Sequence, residues 1–90
     1  METNTIVYAV IATQISFGDV QEPIINLFQH KKDAIKHFNN VAYGEDGERK
    51  YAIEQGWIIG CEDETYFEAY EDGRFNQNST CVMLQEKILN

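Results

Sequence analysis

The amino-acid sequence predicts a single α+β domain over residues 1–90, in which about four antiparallel strands form two hairpins. One main helix, with a second short helix after it, is expected to pack on one face of this sheet. Three observations favour this class. Ninety residues suit one domain, strand-like apolar or alternating runs lie toward both ends of the chain, and one segment between them has a period of 3.6.

The first hairpin is predicted from two apolar runs on either side of a turn. The run from Thr5 to Ser16 (TIVYAVIATQIS) is apolar at both parities between Ile6 and Ala12. That pattern is typical of a central strand covered on both faces, or of one whose second face contacts another copy of the chain. Gly18 and Asp19 supply turn residues, and residues 23–29 (PIINLFQ) read as the returning strand. We therefore expect an antiparallel hairpin with a long loop.

Two helices are predicted between the hairpins. In residues 30–44 (HKKDAIKHFNNVAYG) five apolar side chains fall on one face at helical spacing, and Gly44 is a plausible stop. These five are Ala34, Ile35, Phe38, Val41 and Ala42. A second, short helix is expected from Glu48 to Gln55, closed by Gly56, and the alternative is a strand at Tyr51 to Ile53.

The second hairpin is predicted from alternation near the carboxyl end. In TYFEAYED the alternation places Phe67 and Ala69 on one face. In TCVMLQEKI it places Val82 and Leu84 on one face of the strand and Cys81 and Met83 on the other. The turn between the two strands is expected at Asp72-Gly73 or at residues 76–79. The preceding run WIIGC is expected to enter the sheet or to pack beneath it.

The charge balance bears on partners. Fifteen acids against seven bases give a net charge of −8, a field that repels nucleic acid and anionic membrane and favours cationic partners. The alternative reading of this total is solubility alone. The amino terminus METNT is unlike a signal peptide, and two cysteines are too few for a disulfide framework. We therefore expect a cytoplasmic protein with reduced thiols, which contacts neither membrane nor nucleic acid directly.

The densest charge lies in residues 60–73 (GCEDETYFEAYEDG), where carboxylates and tyrosines share a predicted strand. Phe67 and Ala69 suit the core parity, so Tyr66, Glu68, Tyr70 and Asp72 would face outward. Tyrosines give amphipathic contact area suited to an interface. The alternative is a solvated outer face that keeps an edge strand from aggregating. The predicted partner-binding residues are Glu62, Asp63, Glu64, Tyr66, Glu68, Tyr70, Glu71 and Asp72.

Catalytic and metal chemistry find little support in the sequence. His30, Asp33 and His37 share one side of the predicted helix and could form a two-histidine, one-carboxylate site, although a polar helix flank explains them as well. Cys61 and Cys81 could pair, but buried thiols are the default reading. No glycine loop that cradles phosphate and no nucleophile motif is present. We expect neither an enzyme, nor a cofactor, nor a bound metal.

A tiny, strongly acidic α+β chain with a strand of carboxylates and tyrosines resembles the accessory proteins of phages and mobile elements, notably anti-CRISPR proteins. The likeness covers size, charge and layout, with LFQHKKDAIKHF as the strand-to-helix segment, and it transfers no functional residue. It implies a DNA-mimic inhibitor that occupies the basic, nucleic-acid-binding surface of a partner, inside the host cell if the chain is phage-encoded. The alternative function is a small structural or regulatory homodimer, and a metal-dependent enzyme built on His30, Asp33 and His37 is the third hypothesis.

Overall fold

The computed structural model describes residues 5–71 and 78–89, which form six strands and two helices. In chain order the elements are β1 (Thr5–Ser16), β2 (Asp19–Val20), β3 (Ile24–Phe28), α1 (Lys31–Tyr43), α2 (Glu48–Gln55), β4 (Ile58–Asp63), β5 (Tyr66–Tyr70) and β6 (Ser79–Leu89).

All six strands belong to one antiparallel sheet in the order β2-β1-β6-β5-β4, and β3 pairs with β1 on the same side as β2. The longest pairing joins β1 to β6, from Thr5 opposite Leu89 to Ile15 opposite Ser79. The first and the last described strands therefore pair at the centre of the sheet, while β3 and β4 lie at its two edges.

The predicted α+β class is confirmed, and the strand count is six instead of about four. Both predicted helices are present, and the chain from Glu48 to Gln55 is helical instead of forming a strand at Tyr51 to Ile53. Gly44 follows α1 as expected, and Gly56 ends α2 with a left-handed φ of 74°. A glycine suits that position because it carries no Cβ to clash in this conformation.

The first hairpin turns more tightly than expected. Phe17 and Gly18 both have positive φ, 52° and 85°, as a two-residue turn that matches the twist of its flanking strands requires. The backbone N–H of Phe17 donates a hydrogen bond to the Asn78 side chain at 3.0 Å, which supports this uncommon conformation for a non-glycine residue. The predicted long loop is therefore wrong, and the returning chain pairs twice with β1, first as β2 and then as β3.

The hydrophobic core lies between the helices and one face of the sheet, called the covered face below. The sheet contributes Val10, Phe67, Ala69 and Val82, and the helices contribute Ala34, Phe38, Ala42 and Ala52. Three of the four helical residues are alanines, whose small side chains let the helices approach the sheet closely. Phe38 and Phe67 fill the space between the layers with no exposed surface, and each such side chain stabilises the fold by roughly 1.5–3 kcal/mol.

The predicted apolar stripe of α1 is confirmed except at one residue. Ala34, Phe38 and Ala42 are buried and Val41 is half-buried, but Ile35 is 39 % exposed. A helix over a flat sheet buries a narrow stripe, so the flank that carries Ile35 remains in solvent.

Glu48, at the first position of α2, ties this helix to the sheet. Its carboxylate accepts hydrogen bonds from the Thr80 hydroxyl at 3.1 Å and from the Gln14 amide at 3.2 Å. Thr80 is buried, so this contact satisfies a hydroxyl that water does not reach.

Candidate protein-binding surface

The second face of the sheet, called the open face below, lies opposite the helices. Because side chains alternate along a strand, the buried Phe67 and Ala69 place Tyr66, Glu68 and Tyr70 on the open face. This part of the sequence prediction is confirmed. The expectation of an edge strand is wrong, since β5 lies between β6 and β4, so it needs no charge to protect a free edge.

The acidic run folds into a hairpin of its own, which was not predicted. Glu64 and Thr65 form a two-residue turn between β4 and β5. The Asp63 carboxylate accepts a hydrogen bond from the Glu64 backbone N–H at 2.6 Å, and the Thr65 carbonyl accepts one from the Leu84 backbone N–H at 2.8 Å. Of the two expectations for the run WIIGC, entry into the sheet is confirmed, since residues 58–61 belong to β4, the edge strand next to β5.

A bulge decides which carboxylates share a face. The register of β4 against β5 shifts between Ile59 and Cys61, so one extra residue, Gly60, lies in the edge strand. After the shift Cys61 pairs with Glu68 and Asp63 pairs with Tyr66, which brings both onto the open face. Without the bulge these two residues would point toward the helices.

Glu62 lies on the covered face, because it pairs with the buried Phe67. Its carboxylate forms an ion pair with Arg49 of α2, and the Arg49 guanidinium lies 5.9 Å from the centre of the Tyr43 ring. The expectation that Glu62 belongs to an outward acidic array is therefore wrong. Both partners of this pair are about two-fifths exposed, so solvent screens the pair and its contribution to stability is small.

Tyr66 has one carboxylate beside it on its own strand, one opposite it on β4 and a third in the adjoining turn. Asp63 lies directly across from Tyr66, Glu64 follows Asp63 in the turn, and the Tyr66 hydroxyl donates a hydrogen bond to Glu68 at 2.9 Å. The acidic corner is the name used below for Asp63, Glu64, Tyr66 and Glu68. The salt bridge found among the described residues involves Glu62 and Arg49, so no described lysine or arginine pairs with this corner.

The proton of Tyr66 is held firmly in this environment. Interaction with the Cys81 thiol, the hydrogen bond to Glu68 and burial raise the pKa of Tyr66 well above its usual value, in that order of size. Burial is also the largest cause that raises the pKa of the Cys81 thiol. The shift keeps the phenol protonated to more alkaline pH than a free tyrosine, and the protonated hydroxyl donates its hydrogen bond to Glu68.

Tyr70 borders the acidic corner and lies over the bulge. A Cβ atom at Gly60 would come within 2.7 Å of the Tyr70 ring carbon Cε1. The glycine therefore makes room for the aromatic ring to lie across the edge strand, and Ile58, paired with Tyr70, continues this apolar patch.

Glu71 and Asp72 end the predicted set. The Glu71 carboxylate accepts a hydrogen bond from the Asn78 amide at 2.9 Å, and the Glu71 backbone N–H donates to the Asn78 carbonyl at 2.8 Å. Glu71 thus holds the strand ends together and lies away from the acidic corner. Asp72 lies outside the described residues, as do Gly73 and the first two residues of the alternative turn at 76–79.

The two cysteines lie too far apart for a disulfide. Cys61 and Cys81 are each paired directly with Glu68 from opposite sides, so their Cα atoms are separated by two strand spacings, about 10 Å. A disulfide requires Cα atoms within about 7 Å, and both thiols are free. Cys61 is exposed instead of buried, because it belongs to an edge strand on the open face.

The histidines of α1 have separate environments. His30 precedes the first turn of the helix, and the His37 ring lies 5.2 Å from the Phe28 ring. Residues 5–71 and 78–89 contain no group of three or more histidine, cysteine, aspartate or glutamate side chains placed to hold a metal ion.

Sequence reasoning missed the exposure of β3. Ile25 and Leu27 are 55 % and 64 % exposed on the open face, and Ile24 is exposed on the other face. The signal was present as an apolar run without charge, IINLF, which we interpreted only as a strand.

Comparison with protein-family models, curated proteins and solved structures finds no match for this chain. Among the described residues neither helix has the length and apolar character needed to cross a membrane.

Proposed function

We propose that this protein is a non-enzymatic, protein-binding inhibitor that docks a basic surface of its partner on the acidic corner. One observation carries the proposal: the hairpin places Asp63, Glu64 and Glu68 at one corner beside Tyr66, and no described lysine or arginine pairs with them. Unpaired carboxylates next to a half-buried aromatic ring offer both charge and contact area to lysine or arginine.

The geometry of the corner favours a cationic protein over a small ligand. Its side chains project from a flat sheet and a turn, and Asp63 and Glu64 are exposed. A flat surface buries little of a small molecule, whereas it can contact another protein surface closely. The net charge of −8 adds long-range attraction to a basic partner and raises the rate of association.

The proposed class of partner is a nucleic-acid-binding protein, as the resemblance to anti-CRISPR proteins implies. The carboxylates of the acidic corner carry the same sign of charge as phosphate, and no described lysine or arginine pairs with them. They support competition with phosphate for the lysines and arginines of such a partner. Asp63 and Glu64 are exposed, so salt screens their charge and the affinity of the corner should fall as the salt concentration rises.

The proposal is tested by charge reversal with a matched control. In the first variant Asp63→Lys and Glu64→Lys change the corner, and in the control Glu45→Lys and Glu54→Lys make the same change of charge at exposed positions before and within α2. We expect the corner variant to lose capture of basic proteins from a host lysate at low salt, while the control retains it. A DNA oligonucleotide added to the wild-type complex should displace the captured protein.

Equal loss in both variants would show that net charge alone acts, and would contradict a docking site at the corner. Equal retention in both would contradict it as well. Capture that survives excess oligonucleotide would contradict the competition with phosphate.

A further inference from the structure

The edge strand β3 presents an unpaired side to solvent. Among the described strands it pairs only with β1, so alternate backbone N–H and C=O groups point away from the sheet. Residues 24–29 (IINLFQ) carry no charge in a chain that otherwise has one charged residue in every four. Strand edges of natural proteins are usually protected by charges, proline or bulges, and Pro23 lies just before this one.

We infer that two copies of this chain form a homodimer by antiparallel pairing of β3 with β3, which joins the two sheets into one. The strand is self-complementary about Asn26. A two-fold axis at that residue places Ile25 opposite Leu27 of the second copy on the open face, and Ile24 opposite Phe28 on the covered face. Each exposed apolar side chain of the edge thereby gains an apolar neighbour.

The charges that flank β3 match in the same register. Glu22 lies before the strand, and His30 and Lys31 follow it, all three exposed. The two-fold axis at Asn26 brings Glu22 of one copy level with His30 of the other and beside Lys31. Both ends of the paired strands then place a Glu22 carboxylate beside a lysine.

An apolar groove beside the edge extends the contact. The groove has a volume of about 270 Å³ and is lined by Val10, Ala12, Ile24 and Val41 with polar neighbours. Because Phe28 of the second copy pairs with Ile24, its ring lies next to this groove. Five paired residues span only about 17 Å, so the interface is near the small end of specific complexes and the dimer should depend on concentration.

The test uses two single variants that repel themselves and attract each other. Glu22→Lys places lysine beside Lys31 in its own homodimer, and Lys31→Glu places glutamate beside Glu22. We expect the wild type to dimerise reversibly in sedimentation. Each variant alone should have a dimer dissociation constant at least about tenfold higher, because like charges across an interface are unfavourable. An equimolar mixture should recover dimers, since both contacts in the heterodimer join opposite charges.

A second pair of variants separates the edge from general surface effects. Ile25→Asp should abolish the dimer, whereas Ile58→Asp, on the open face at the opposite edge of the sheet, should leave it intact. Circular dichroism of the dilute variants checks that each is folded. A wild type that stays monomeric at millimolar concentration, or a mixture that fails to recover dimers, would overturn the inference. The acidic corner lies at the other edge, so this result is independent of capture by a basic partner.

Discussion

The covered face and the open face of this sheet are built from the same strands, yet they differ in what holds their side chains. Phe67 and Tyr66 are neighbours on β5, but Phe67 is fully buried in the core between the helices and the sheet, while Tyr66 is half-buried on the open face and donates a hydrogen bond to Glu68. The covered face holds the hydrophobic core and supplies most of the stability of the domain. The open face and its edges carry charge, a bulge and exposed apolar groups, and packing there contributes less.

The largest expected effect is loss of core packing on the covered face. Phe67→Ala removes a fully buried ring and should lower the free energy of unfolding by about 3–5 kcal/mol. Met83→Ala, on the strand next to Tyr66 and only half-buried, should cost roughly 1 kcal/mol or less. Urea denaturation of the two variants measures both values, and similar losses would contradict the division between the faces.

A smaller effect is expected at the bulge. Gly60→Val introduces side-chain atoms where the Tyr70 ring lies, so the ring must move and the free energy of unfolding should fall by roughly 1–3 kcal/mol. Cys61→Val, at the next and exposed position of β4, serves as the control and should change little. If both variants were equally stable, the ring would not depend on the absence of a side chain at Gly60.

The smallest effect concerns alkaline pH on the open face. Burial raises the pKa of the Cys81 thiol in the folded chain. The protonated thiol therefore contributes fully to the free energy of unfolding below the unfolded thiol pKa of about 8.5, and this contribution declines as the pH rises toward the thiol pKa of the folded chain. In that window the unfolded chain has released a proton that the folded chain retains. The free energy of unfolding should therefore fall between pH 8 and 10, and less steeply in Cys81→Ala. A steeper decline in the variant would contradict the assignment.

The sequence predicted the covered face better than the open face. Alternation placed Phe67, Ala69, Val82 and Leu84 correctly, and the helical period found Phe38, because burial selects apolar side chains at a regular period. Neither the strand count nor the Glu64–Thr65 turn was predicted, since strands rich in carboxylates are uncommon and this turn contains no glycine or asparagine.

The acidic corner itself depended on information that no pattern contains. Glu62 and Asp63 are adjacent and equally charged in the sequence, but the bulge at Gly60 sends Glu62 to Arg49 and Asp63 to Tyr66. A shift of one residue exchanges the faces of every later side chain in the strand. The composition of the run therefore predicted an acidic surface, but it did not predict which carboxylates lie on that surface.

The pairing of β1 with β6 also determines how this chain must fold. Thr5 pairs with Leu89 and Ile15 pairs with Ser79. The two central strands can therefore pair only when segments from the two ends of the described chain come together. The β4–β5 hairpin and the two helices involve neighbours in sequence and can form within microseconds. Pairing β1 with β6 instead closes a loop of more than sixty residues, and this loss of entropy precedes the contacts that offset it. We expect refolding in the slow range of milliseconds to seconds, limited by this single step.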